Sequence, residues 1–106
     1  MTIEEKYEKV KEFLKGNNIE FRENVEKKGF VIPLLMPRLG IVIHSGDSQE
    51  FYMNVRKTYK PIFIREEEEM DFIIEKVTNT IYDRMREMQK IFENGTVQES
   101  VRHSRD

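Results

Sequence analysis

Few residues in this chain could do chemistry. His44, Asp47 and Glu50 stand three apart in the segment IVIHSGDSQE. An imidazole beside two carboxylates could hold a divalent metal or pass a proton. The same segment also reads as structure: Asp47 can cap a helix while Glu50 reaches back to the N–H of the capping residue. One histidine and one aspartate are few ligands for a transition metal. Ser45 and Ser48 lack a histidine and an acid in triad order, so nucleophilic catalysis has less support still. No residue is assigned as catalytic, metal-binding or cofactor-binding from the sequence, and no cofactor is implied.

A second group is basic. Arg56, Lys57, Lys60 and Arg65 fall within ten residues, with Tyr52 and Tyr59 beside them. Such a cluster could contact phosphate while the aromatic rings stack on a base. The near-neutral total charge favours the plainer reading, a solvated helix face paired with the acidic run Glu66–Glu69. Gly40 and Gly46 do not form a phosphate loop, because neither Gly-x-Gly-x-x-Gly nor the Walker pattern is present.

The elements that must position these groups follow from periodicity. Ile3, Tyr7, Val10 and Leu14 recur at helical spacing, Thr2 and Glu5 form a capping box, and Gly16 with Asn17 offers a stop. Asn18–Val25 alternates as a half-exposed edge strand carrying charge. Phe30–His44 consists of two apolar runs pinched apart by Pro37, Arg38, Leu39 and Gly40, which predicts a hairpin buried on both faces at the centre of a sheet. A helix from Ser48 to about Tyr59 leads to a short strand, Ile62–Ile64. A strand, a helix and a strand in succession predict a right-handed crossover with the last strand parallel to that of Ile41. Glu66–Glu69 and Asp71 open the longest helix, where negative charge suits the dipole. Met70, Ile74, Val77, Ile81, Met85, Met88 and Phe92 continue as one stripe to a stop at Asn94 and Gly95. The predicted fold is a single α/β domain over 1–93, with a four-stranded mixed sheet in α-β-β-β-α-β order and a long C-terminal helix. Residues 94–106 read as a mobile tail.

This order, together with GFVIPLLMPRLGIVIHSGDSQEFYMNVRKTYKPIFIRE, resembles the core of the restriction-endonuclease-like superfamily, in particular its small enzymes of the very-short-patch repair type. The likeness runs from about Ile19 to Ile81. It implies a carboxylate on the second strand and an acidic pair closing the third. Here those places fall near Val31 or Pro33 and at Val42 and His44. Valine gives Mg²⁺ no oxygen ligand, so the resemblance implies a nuclease relative without its metal site. A nuclease with a rearranged site, built on His44, Asp47 and Glu23, is the enzymatic alternative.

The chain has 106 residues, 18 basic against 20 acidic, and no cysteine. The balanced charge gives no general pull toward nucleic acid or anionic membrane, and disulfides and thiol chemistry are excluded. No run approaches the roughly 20 apolar residues that cross a bilayer. The N-terminal MTIEEKYEKV lacks the apolar core of a signal peptide, so the expected location is cytoplasmic. The stripe of the last helix is longer than a four-stranded sheet can cover. Met85, Met88, Ile91 and Phe92 are therefore expected either to pair with a second copy in a homodimer or to lie under the first helix. The expectation is a non-catalytic binding or assembly module, with nucleic-acid binding through the basic cluster as an alternative.

Overall fold

The computed structural model describes residues 1–27, 29–46 and 49–105, with side chains described as far as residue 90. Its elements are α1 (Ile3–Gly16), β1 (Arg22–Lys27), β2 (Phe30–Met36), β3 (Ile41–His44), α2 (Gln49–Val55), β4 (Lys60–Phe63) and α3 (Met70–Arg105). The strands form one sheet in the order β1-β2-β3-β4, antiparallel except for the parallel β3–β4 pair. This is the expected α/β mixed sheet with the apolar hairpin at its centre.

Both faces of that hairpin are covered. Leu34, Met36, Ile41 and Ile43 join Val10 and Leu14 of α1 and Ile73, Val77 and Ile81 of α3 on one face. Leu35 and Val42 meet Phe51 and Val55 of α2 on the other. Alternation breaks once in β2, where Ile32 lies on the α2 face although Leu34, two residues on, lies on the α1–α3 face. The register explains this: Glu23 pairs with Leu34 and Val25 with Ile32, but Asn24 opposite Pro33 is skipped. Proline cannot donate to the ladder, and Asn24 takes a left-handed backbone (φ 51°), a conformation asparagine tolerates better than most residues.

Several boundaries differ from expectation. α1 opens with the predicted capping box of Thr2 and Glu5. Its exit is a Schellman turn, with the Ile19 N–H donating to the Leu14 carbonyl and the Asn18 N–H to that of Lys15. Asn18 sits at φ 56°, so residues 17–21 serve the helix exit and β1 begins only at Arg22. α2 ends at Val55, earlier than predicted, and β4 starts at Lys60. The helical backbone of α3 continues through Asn94 and Gly95, because glycine costs a helix only about 1 kcal/mol and no proline bars the way.

The acidic run is not the first turn of α3. It forms the turn before it, held by two lysines. Lys6 of α1 is 3% exposed, and its ammonium donates to the carbonyls of Arg65 (3.1 Å), Glu68 (2.6 Å) and Glu66. Lys76 of α3 bonds both carboxylate oxygens of Glu68, at 3.1 and 2.8 Å, and the Phe63 carbonyl at 2.6 Å. The Glu68 carboxylate also accepts from the Arg65 N–H at 2.7 Å.

Lys6→Met should lower stability by about 2–4 kcal/mol, because buried carbonyls lose a charged donor. A urea midpoint equal to that of the parent chain would show that the carbonyls find other partners. Asn24→Gly should be close to neutral, whereas Asn24→Val should cost about 1–2 kcal/mol through left-handed strain at a β-branched residue. The same denaturation measurement checks both.

Candidate functional site

The polar candidates do not converge. His44 ends β3, is 4% exposed, and packs its ring against Phe51 and Phe63 at centroid distances of 5.0 and 5.3 Å. An imidazole walled by two phenyl rings is placed as a core side chain. Glu50 is exposed on the first turn of α2, while Asp47 and Ser48 lie outside the described residues. Ser45 accepts a hydrogen bond from the Tyr7 hydroxyl at 2.8 Å, and burial pushes that phenol's pKa up against the pull of the bond. Glu23 lies on β1, two strands from β3, and is paired with Lys11 at 2.8 Å. No three His, Asp or Glu side chains among the described residues are grouped to hold a metal. Val42 is wholly buried beneath α2.

The basic residues are split. Arg56, Lys57 and Lys60 are exposed where α2 turns into β4, and Arg56 lies over the Tyr52 ring at 5.9 Å. Arg65 lies past the opposite end of β4, about 16 Å from Lys60 at 3.3 Å per residue, with its guanidinium over Phe63. Among the described residues, none of the four is ion-paired with the acidic run. Glu68 is paired with Lys76 instead.

The chain instead gathers apolar surface on α3. This helix has 36 residues and spans about 54 Å, whereas the longest strand has seven residues and spans about 23 Å. α1 reaches the first part of the stripe, since Val10 and Leu14 share a cluster with Ile73, Val77 and Ile81. Beyond that point Tyr82, Met85 and Met88 are 61%, 52% and 40% exposed. The side chains of Ile91 and Phe92 lie outside the described residues.

Beside this stripe is an open groove of about 430 Å³ whose walls include Phe13, Ile19, Leu39, Ile81, Tyr82 and Met85. Each wall has a local cause. The Schellman turn sets Ile19 beside the end of α1. The Leu39 wall belongs to the β2–β3 turn, which is tied to α3 by the Arg84 Nε donating to the Leu39 carbonyl at 2.9 Å. Gly40 completes that turn at φ 64°, and a Cβ there would stand 3.2 Å from the Arg84 guanidinium. Asn17, Asn18, Glu20, Arg38 and Thr78 complete the lining, so the groove sets an apolar wall beside polar and charged side chains. Helical spacing identified the stripe, but a groove assembled from α1, a hairpin turn and α3 has no signature along the chain.

Comparisons with family models, with curated proteins and with solved structures find no match.

Around the turn that starts α3, burial pushes the Glu68 carboxyl up, but the Lys76 ammonium and the Arg65 N–H outweigh it. Its pKa therefore falls below the ordinary 4.5. A depressed carboxylate stabilises the fold above its unfolded pKa, and that contribution disappears as the pH falls through the folded value. Glu68→Gln should thus lose stability at neutral pH and show a flatter stability profile below about pH 4.5 than the parent. Parallel profiles in thermal melts from pH 7 to 3 would contradict this assignment.

Proposed function

We propose that this chain is a non-catalytic binding or assembly module, built on a core of the restriction-endonuclease-like kind, whose working surface is the outer half of α3 with its adjoining groove. The observation that carries the reading is the continuous exposure of Tyr82, Met85 and Met88 beyond the part of α3 that α1 and the sheet cover. Such surface costs solubility unless another molecule covers it, and methionines suit a contact that must adapt. The likeness to the nuclease core is supported by the element order and by an antiparallel apolar hairpin followed by a parallel fourth strand. The chemistry is not carried over, because Val42 and His44 stand where the acidic pair would be.

The edges of the sheet favour the helix as the contact. On β4, residues 60 and 64 donate toward β3, so residues 61 and 63 face outward. Residue 61 is a proline with no N–H to offer, and the Phe63 carbonyl is taken by Lys76. β1 carries Arg22, Glu23, Glu26 and Lys27, and its left-handed Asn24 twists the edge. Both are devices that hinder strand addition.

Two measurements test the reading. The chain should leave DNA and RNA intact in the presence of Mg²⁺ or Mn²⁺; cleavage that Asp47→Ala abolishes would replace the module with an enzyme. Met85→Lys combined with Met88→Lys should change folding stability by no more than about 0.5 kcal/mol, since both side chains are already exposed, yet should abolish association. Association unaffected by the pair would move the contact away from α3.

A further inference from the structure

On the other face of the sheet, under the exit of α2, a hollow of about 230 Å³ differs from the rest of the surface in charge. Lys27 lines it, and among the described residues no acidic side chain does. The groove beside α3, the two hollows around the turn that opens α3 and the one along its exposed side each include a carboxylate. The floor is sheet: the β1–β2 register sets Lys27 opposite Phe30 and Val25 opposite Ile32, on the face that α2 covers. The wall is the turn after α2. There the Val55 carbonyl accepts from the N–H of Thr58 at 3.1 Å and from that of Tyr59 at 2.8 Å, so that both residues line the hollow with Phe30 and Ile32.

These side chains suit a flat, nitrogen-bearing ring with an anion attached. The Phe30 and Tyr59 rings offer apolar faces, and Phe30 is held by an edge contact with Phe51 at 5.6 Å. Asn54 spends its amide N–H on the Glu50 carbonyl at 2.8 Å, which leaves its side-chain oxygen to accept. A hydrocarbon ring would bury that oxygen and the Thr58 hydroxyl unpaired, whereas a ring with its own N–H satisfies them. Arg56, Lys57 and Lys60 are exposed and are the sequence neighbours of the residues that form the wall. With Lys27 they match a phosphate, which carries close to two negative charges at neutral pH. We infer that this hollow is a nucleotide site: one base lies against Phe30 and Tyr59, and its phosphate is held by Lys27, Arg56 and Lys57. At about 230 Å³ the hollow is smaller than the roughly 300–1,000 Å³ of most ligand sites, so a single base fills it. The site gives the molecule a second working surface and does not depend on α3.

Adenosine 5′-monophosphate is the probe, titrated into the isotope-labelled chain and followed by NMR. It should bind saturably with a Kd below about 1 mM and shift the ring resonances of Phe30 and Tyr59. Adenosine and inorganic phosphate, each making only part of the contacts, should bind at least about tenfold more weakly. Arg56→Ala with Lys57→Ala should weaken the nucleotide by a similar factor, and Thr58→Trp, which fills the mouth of the hollow, should remove adenosine binding as well. All three positions are exposed, so the changes leave the fold intact, and unshifted signals from the remote core residue Val77 check this. A short adenylate strand that binds more tightly than the free nucleotide, with the same ring shifts, supports the site and assigns it to a strand; equal or weaker binding supports it as a site for the free nucleotide. No saturable binding up to about 10 mM, shifts confined to residues outside the hollow, or undiminished affinity in either variant overturns the inference and leaves the α3 reading standing.

Discussion

The ammonium of Lys6 joins three parts of the molecule that would otherwise be set independently. It belongs to α1, it binds carbonyls at the end of β4, and the turn it holds decides where α3 begins. A lysine this deeply buried is stable only when its donors are satisfied, and here three carbonyls satisfy them. Those carbonyls must then point inward, which keeps residues 65–69 out of the helix and starts α3 at Met70. Where α3 begins sets which of its residues meet the sheet, and therefore which are left over. Ile73, Val77 and Ile81 are used in the core, whereas Tyr82, Met85 and Met88 fall beyond it.

Lys76 plays the matching part from the other side. By bonding both Glu68 and the Phe63 carbonyl it fastens the base of α3 to the outer edge of β4, and its ammonium also lies 5.2 Å from the centre of the Phe72 ring. The two lysines explain the dense acidic run better than a helix dipole does. Only Glu68 among the four is drawn into the structure, while Glu66, Glu67 and Glu69 stay exposed.

What could be read from the sequence follows from how local each cause is. The hairpin was legible because Val- and Ile-rich runs bounded by proline and glycine suit strands buried on both faces, and Ile41, Val42 and Ile43 are indeed buried. The Thr2–Glu5 capping box and the apolar face of α1 were legible for the same reason. The start of β1 was not, since the alternation of Ile19 and Phe21 imitates a strand while Asn18 is spent on a helix exit. Lys6 carried a usable signal: it stands four residues before Val10 and seven before Phe13, on the buried face, where a charge calls for a partner. The basic cluster misled in the other direction. Neighbours in sequence along a strand end up at its opposite ends, so closeness between Lys60 and Arg65 in the chain is separation in space. Asp47, on which the rearranged nuclease site would turn, lies outside the described residues.

That α3 is one unbroken helix from the sheet to beyond Met88 has a geometric consequence. Body and overhang share a single rotational phase, about 100° per residue. Evolution or design could lengthen this arm by a seven-residue insert and keep its greasy side aimed nearly as before, whereas a five-residue insert would swing that side most of the way round. The protein's reach is therefore adjustable in quanta of two turns, and its aim is not adjustable separately.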